Sequence, residues 1–213
     1  MKINIGMDEH VFVCGGTGSG KTILCEVYLA NVPSMVIKLD SKLECFEKLK
    51  KNKPVWYGLN NEDVQIIERL EELPSVTKKR IIYAPITEEM NHDFYNALGE
   101  WVYEKGDCIL WIDEMMSVAE SALKYPFTIK KLLTRGRFKN SVCWICTQRP
   151  TDIPLICISN ANHIFCFNTG LEADRVRMVK NTGCKDFYQI LDKHIFLYNK
   201  VGQQKAVKAT LNL

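Results

Sequence analysis

Val11-Phe12-Val13-Cys14-Gly15-Gly16-Thr17-Gly18-Ser19-Gly20-Lys21-Thr22-Ile23-Leu24-Cys25-Glu26 reads as an apolar strand, a glycine-rich loop and the start of a helix in immediate succession. Residues 15–22 meet G-x-x-x-x-G-K-[ST] at every fixed position. Glycines at 15, 16, 18 and 20 let successive backbone N–H groups converge on phosphate oxygens with no side chain in the way. Lys21 would then reach the β- and γ-phosphates of a nucleotide, and the Thr22 hydroxyl would ligate Mg²⁺. The expected nucleotide-binding residues are Gly15, Gly16, Thr17, Gly18, Ser19, Gly20, Lys21 and Thr22, with ATP and Mg²⁺ as the groups held. A chance match in a glycine-rich loop is the alternative, and the flanking strand and helix patterns speak against it.

A loop of this kind needs one carboxylate for Mg²⁺ and another to activate water. Cys108-Ile109-Leu110-Trp111-Ile112-Asp113-Glu114 offers both at the end of an apolar run, which reads as a strand buried on both faces. A parallel sheet places its ligands at that end of its strands. Asp113 is expected to bind Mg²⁺, directly or through water, and Glu114 to orient and deprotonate the attacking water. Acids after strands also serve as helix caps. The Asp-Glu pair favours ATP hydrolysis over a nucleotide kinase or a GTPase switch.

Outward from these two segments, short β-branched and aromatic runs alternate with helical patterns, as in a mostly parallel sheet with helices on both faces. Strands are expected at 10–14, 34–40, 54–57, 79–84, 108–113, 142–147 and 163–167, and helices at 21–31, 42–51, 61–73, 87–104, 126–138 and 171–181. Val64, Ile67, Leu70 and Leu73, spaced by three behind an acidic first turn, support the third helix; Thr87 and two glutamates support the fourth. After Gly183, residues 194–198 and 206–211 flank a Gly-Gln-Gln turn, which predicts a C-terminal hairpin. No repeat, low-complexity tract or linker interrupts the pattern, so residues 1–213 read as one domain of α/β class.

Hydrophobic residues make up 46% and charged residues 25%, an ordinary globular balance that excludes disordered and fibrous classes. No apolar run approaches the ~20 residues of a membrane span, and the N-terminus does not read as a signal peptide. The nine cysteines mostly sit in apolar runs, an odd count without a secretory signal, and are expected to be free and packed in a reducing compartment. Cys143 and Cys146, three apart on a strand, face opposite sides and cannot easily share a metal. His10, His92, His163 and His194 show no ligand spacing and read as structural, and Trp56, Trp101, Trp111 and Trp144 as core. The net charge of +3 is uneven: from Ser121 to Thr151 there are seven basic residues and no acidic one. That stretch suits a polyanion as well as it suits a solvated face.

Further motifs follow in a recognisable order. Val36-Ile37-Lys38-Leu39-Asp40-Ser41-Lys42 comes after the first helix, Leu133-Thr134-Arg135-Gly136-Arg137 ends the helix after Asp113-Glu114, Cys146-Thr147-Gln148-Arg149-Pro150 ends the next strand, and Ser159-Asn160-Ala161-Asn162 precedes a strand and the helix carrying Arg175. Over about residues 10 to 200 the chain resembles the HerA/FtsK superfamily of P-loop ATPases, and especially the small viral and phage genome-packaging ATPases. The resemblance implies a RecA/FtsK-like P-loop NTPase fold, a homo-oligomeric ring (pentamer or hexamer), double-stranded DNA as cargo, and a capsid vertex or portal component as partner, with no membrane span. It places the protein in the host cytoplasm or with the virion. Gln148, at a strand end beside the Asp113 strand, would sense the γ-phosphate or the lytic water, or simply make a turn. Arg135, Arg137 and Arg175 are the candidates for an arginine supplied to a neighbour's ATP, and Arg137 is favoured because Gly136 would end the helix and turn the next side chain outward. Asp40 and Lys42 would either cap the second helix or contact nucleotide or neighbour. A plasmid-transfer or secretion motor of the same superfamily, or a non-motor ATP-dependent regulator, are the alternative functions. No carboxylate cluster after Thr182 supports a fused nuclease.

Overall fold

Alternating strands and helices assemble one sheet, seen in a computed structural model that describes residues 3–211. Its strands are β1 (Val11–Cys14), β2 (Met35–Leu39), β3 (Val64–Ile67), β4 (Arg80–Tyr83), β5 (Cys108–Ile112), β6 (Ser141–Thr147), β7 (His163–Phe167), β8 (Ile195–Lys200) and β9 (Val207–Thr210). They lie in the order β3-β4-β2-β5-β6-β1-β7-β8-β9. Strands β1 to β7 are parallel where they pair, and β8 and β9 are antiparallel. The expected C-terminal hairpin is thus the far edge of the sheet.

Helices are α1 (Lys21–Leu29), α2 (Glu44–Lys50), α3 (His92–Lys105), α4 (Phe127–Arg135), α5 (Ile156–Ser159) and α6 (Glu172–Thr182). The central strands are buried end to end, so their residues divide by alternation between two cores. Phe12, Ile37, Leu110 and Ile145 face α3, α4, α5 and α6 through Leu98, Val102, Leu132, Ile158 and Met178. Val13, Val36, Trp111 and Trp144 face α1 and α2 through Leu24, Leu29 and Cys45. Cys143 falls in the first core and Cys146 in the second, and all nine cysteines are free and buried, as expected.

Two expectations fail between residues 54 and 73. Segment 54–57 forms no strand, although Val55 and Trp56 are buried. Its backbone is consumed by side chains instead: the Val55 N–H donates to Asn61 Oδ1, Lys48 donates to the Val55 carbonyl, and the Tyr57 N–H donates to the Glu26 carboxylate. The expected helix 61–73 is a single 3₁₀ turn at Asn61–Asp63, strand β3, and a second 3₁₀ stretch at Leu70–Ser75. Its three-residue spacing has another origin. Val64 and Ile67 belong to opposite cores, as residues three apart on a strand must. The fourth expected helix, α3, begins at His92 rather than at Thr87, capped by Asn91, whose side chain accepts from the Asp93 and Phe94 N–H groups.

Candidate nucleotide site

Strands β5, β6 and β1 are neighbours, so whatever follows each of them meets at the carboxyl edge of the sheet. The loop 15–20 follows β1, Asp113-Glu114 follows β5, and Gln148 follows β6 between them. Gly15 must be glycine. Its φ is 151°, and a Cβ there would stand 2.5 Å from Phe167 Cβ. Gly20, at φ 111°, sets the N-terminus of α1 in a conformation other residues rarely adopt. The Lys21 ammonium, nearly buried, donates to the carbonyls of Gly15 (2.7 Å) and Gly16 (3.0 Å).

The Thr22 hydroxyl lies 3.0 and 3.2 Å from the two oxygens of Asp113, joining the loop helix to β5. Glu114 Oε1 accepts from the N–H groups of Gln148 (3.4 Å) and Met116 (3.5 Å), while Oε2 faces Lys42 at 3.5 Å. Thr17 donates to the Gln148 side chain at 2.8 Å. Gln148 therefore bridges the phosphate loop and Glu114. Asp40 accepts from the Cys45 N–H at the start of α2, the capping alternative, whereas Lys42 joins the site.

These residues fit a magnesium nucleotide. A cavity of about 290 Å³ is lined by Gly18, Gly20, Lys21, Thr22, Ile23, Glu44 and His194. Ser19 Oγ is buried inside the loop with no partner among the described residues. Thr22 and Asp113 offer the one or two hard oxygens Mg²⁺ takes from protein when phosphates supply others. Among the described residues no group of three or more His, Cys, Asp or Glu could cage a metal alone.

Two participants carried no signal in the sequence. His194, read as structural, reaches the loop, its Nδ1 3.2 Å from the Ser19 carbonyl. Lys38, within the apolar run of β2, is 1% exposed, with its ammonium 3.3 Å from Glu26 and 3.7 Å from Asp113. Burial alone would lower its pKa, but the carboxylates of Asp113, Glu26 and Asp40 hold it above the ordinary lysine range. Only its neighbours in space reveal it.

The three arginines are not together. Arg135 ends α4 and Arg137 follows it, at the edge where the strands begin; Arg135 is exposed, and Arg137 donates to the Asp8 carbonyl (3.0 Å) and carboxylate (3.4 Å). Gly136 does not end the helix by a left-handed turn. Its φ is −63°, and glycine is needed because a Cβ would collide with the Ser141 carbonyl. Arg175 lies on α6 at the carboxyl edge, half-buried and donating to the Thr169 carbonyl at 2.9 Å.

The chain matches no protein-family model and no curated protein by sequence. It is similar in structure to the genome packaging NTPase B204 from Sulfolobus turreted icosahedral virus 2 in complex with ATP-gammaS, with a TM-score of 0.76 and 20% identity over 98% of this chain and 100% of that one. The fold is that of the P-loop NTPases. B204, the DNA-packaging ATPase from Sulfolobus turreted icosahedral virus, matches with a TM-score of 0.73 and 22% identity over 96% of this chain and 98% of that one. The pCW3 conjugation coupling protein TcpA matches at 0.60 and 17%, over 98% of this chain but 62% of its own. Among the described residues, no helix of this P-loop chain is long and apolar enough to cross a membrane.

Proposed function

We propose that this chain hydrolyses ATP to move double-stranded DNA, as the packaging motor of a viral genome. One observation carries the reading: the Thr22–Asp113 and Thr17–Gln148–Glu114 contacts bring the loop, both acids and Gln148 together at the edge of a sheet that matches viral packaging NTPases over almost the whole of both chains. Thr22 and Asp113 would hold Mg²⁺, which when bound neutralises charge on the phosphate oxygens. Lys21 offsets charge on the β- and γ-phosphates. Glu114 orients water and accepts its proton, and Gln148 reports the γ-phosphate to the loop through Thr17. An arginine from a neighbouring subunit, one of Arg135, Arg137 and Arg175, completes the charge balance in a pentameric or hexameric ring formed by the 1–213 domain. The ring works in the host cytoplasm or on the virion, against a capsid vertex or portal. The match to a conjugation coupling protein supports plasmid transfer as a second reading.

The test is ATPase activity titrated with double-stranded DNA, single-stranded DNA and RNA, with sizing in nucleotide. Stimulation by the duplex together with a ring-sized species supports the motor. Turnover indifferent to all three polymers refutes it and favours an ATP-dependent regulator.

A further inference from the structure

Lys38 is a buried cation with two buried carboxylates beside it. It extends from β2 across Trp111 of β5, its ammonium 4.5 Å from that ring, and ends between Glu26 of α1 and Asp113. Glu26 does not depend on it. The Glu26 carboxylate also takes the Lys48 ammonium at 2.9 Å and the Tyr57 N–H at 2.9 Å, and the Glu26 carbonyl takes the Trp56 indole N–H. Among the described residues Asp113, by contrast, has only the neutral Thr22 hydroxyl besides Lys38, since the Lys21 ammonium is turned to loop carbonyls. Lys38 is therefore the cation beside the proposed metal ligand, with its own hydrogen bond directed to Glu26.

We propose that Lys38 is a positioning residue whose charge stands in for the metal at Asp113: its ammonium, hydrogen-bonded to Glu26 at 3.3 Å and 3.7 Å from Asp113, bears on Asp113 through space, and so keeps the metal from binding too tightly to leave in each cycle. The proposal rests on the assignment of Thr22 and Asp113 as the Mg²⁺ holders. The sign of each perturbation follows from charge. Removing the ammonium removes a repulsion against the metal and tightens it. Removing the Glu26 charge leaves Lys38 bearing on Asp113 alone and loosens it. Packing damage at these two core positions would weaken binding in both.

The experiment titrates Mg²⁺ into the full chain with a non-hydrolysable ATP analogue and reads binding by calorimetry, for wild type, Lys38→Met, Glu26→Gln and the double variant. Half-saturating Mg²⁺ is expected to fall on the order of tenfold in Lys38→Met and to rise by a similar factor in Glu26→Gln. In the double variant Glu26→Gln should lose its effect, because Glu26 acts through Lys38. Glu26→Gln keeps the side-chain volume and the acceptor for Tyr57, so it carries the test if Lys38→Met does not fold. Shifts in the same direction, or none, overturn the proposal. Nucleotide binding by wild type with no dependence on Mg²⁺ overturns the metal assignment and this proposal with it.

Discussion

Replacing Glu114 by Gln separates positioning from proton transfer, and the structure sets the size of each effect. Oε1 is the acceptor of the Gln148 and Met116 N–H groups, so a glutamine will keep its oxygen there and direct its NH₂ toward Lys42. That costs the Lys42 contact and places donors face to face. The Lys42 side chain is 38% exposed, however, and can swing into water, which limits the loss to roughly 0–1 kcal/mol. Fold and nucleotide affinity should therefore survive. Turnover should not: an amide holds water but cannot accept its proton, a loss of about 10²–10⁴-fold for a general base. Phosphate release at saturating ATP, alongside binding of a fluorescent ATP analogue, measures the two effects separately. Hydrolysis within a few-fold of wild type in a variant that binds normally would mean that Glu114 is not the base.

Subunits carrying Lys21→Ala should neither bind nor hydrolyse ATP, yet mixing them with subunits carrying Arg135→Ala, Arg137→Ala or Arg175→Ala should restore part of the turnover for at least one arginine. Rings that form but regain nothing with any of the three would place the whole reaction within one subunit. Stability should fall on acidification in two windows. Burial and the nearby Arg137 charge hold His10 down at about 4, so between pH 6.5 and 4 the unfolded chain binds a proton that the folded chain refuses, at a cost of roughly 3 kcal/mol. Burial would raise Glu9, but hydrogen bonds from His163 and the Gly6 N–H more than offset it and hold it at about 2, so its contribution is lost from pH 4.5 downward. Urea unfolding at pH 7 and pH 4 checks the first window: His10→Asn, which keeps an acceptor for the Cys143 N–H, should flatten it, and an unchanged pH dependence would refute the assignment. Charge reversal at Lys130 and Arg135 should weaken DNA binding and reduce its salt slope by roughly one per lost phosphate contact, more than reversal at Lys131 and Lys139. Equal effects at all four would refute the ranking.

The sheet was legible where chemistry and periodicity agreed. Six of the seven expected strands formed within a residue or two, because apolar runs of four to seven residues buried on both faces leave few other options. Their order in space was not legible in the residues themselves; only the resemblance placed the Gln148 strand beside the Asp113 strand, where it lies. Nothing in residues 141–147 says that β6 inserts between β5 and β1, yet that insertion puts Gln148 between Thr17 and Glu114. Pro54-Val55-Trp56-Tyr57 misled because burial and β-propensity were present while the backbone partners were side chains from 26, 48 and 61. Residues 61–73 misled because an edge strand covered on both faces imitates a three-residue period. Lys38 was invisible for a related reason: in a run of apolar residues a lysine reads as an interruption, and only β5 and α1 beside it supply the carboxylates that make it part of the site.

Charge was legible as a count but not as a field. The seven basic residues between Ser121 and Thr151 have no acid among them in sequence, yet the fold brings one to five of them: Glu120 to Lys124, Glu100 to Lys131, Glu104 to Lys139, Asp8 to Arg137 and Asp174 to Arg149. These pairs are not equivalent. Lys124 and Arg137 face their acids from exposed positions, where a pair is worth about 0–1 kcal/mol and a phosphate can replace the carboxylate. Arg149 is held by the fully buried Asp174, which also accepts from the Thr151 N–H and hydroxyl, so withdrawing that arginine would strand a buried charge. Lys131 and Lys139 both lie against the Tyr103 ring as well as against glutamates. Lys130 and Arg135 are exposed on α4 with no ion pair among the described residues. A polyanion therefore meets two free cations first, two loosely held ones next, and Arg149 last, which makes α4 rather than the whole stretch the surface on which DNA would be gripped.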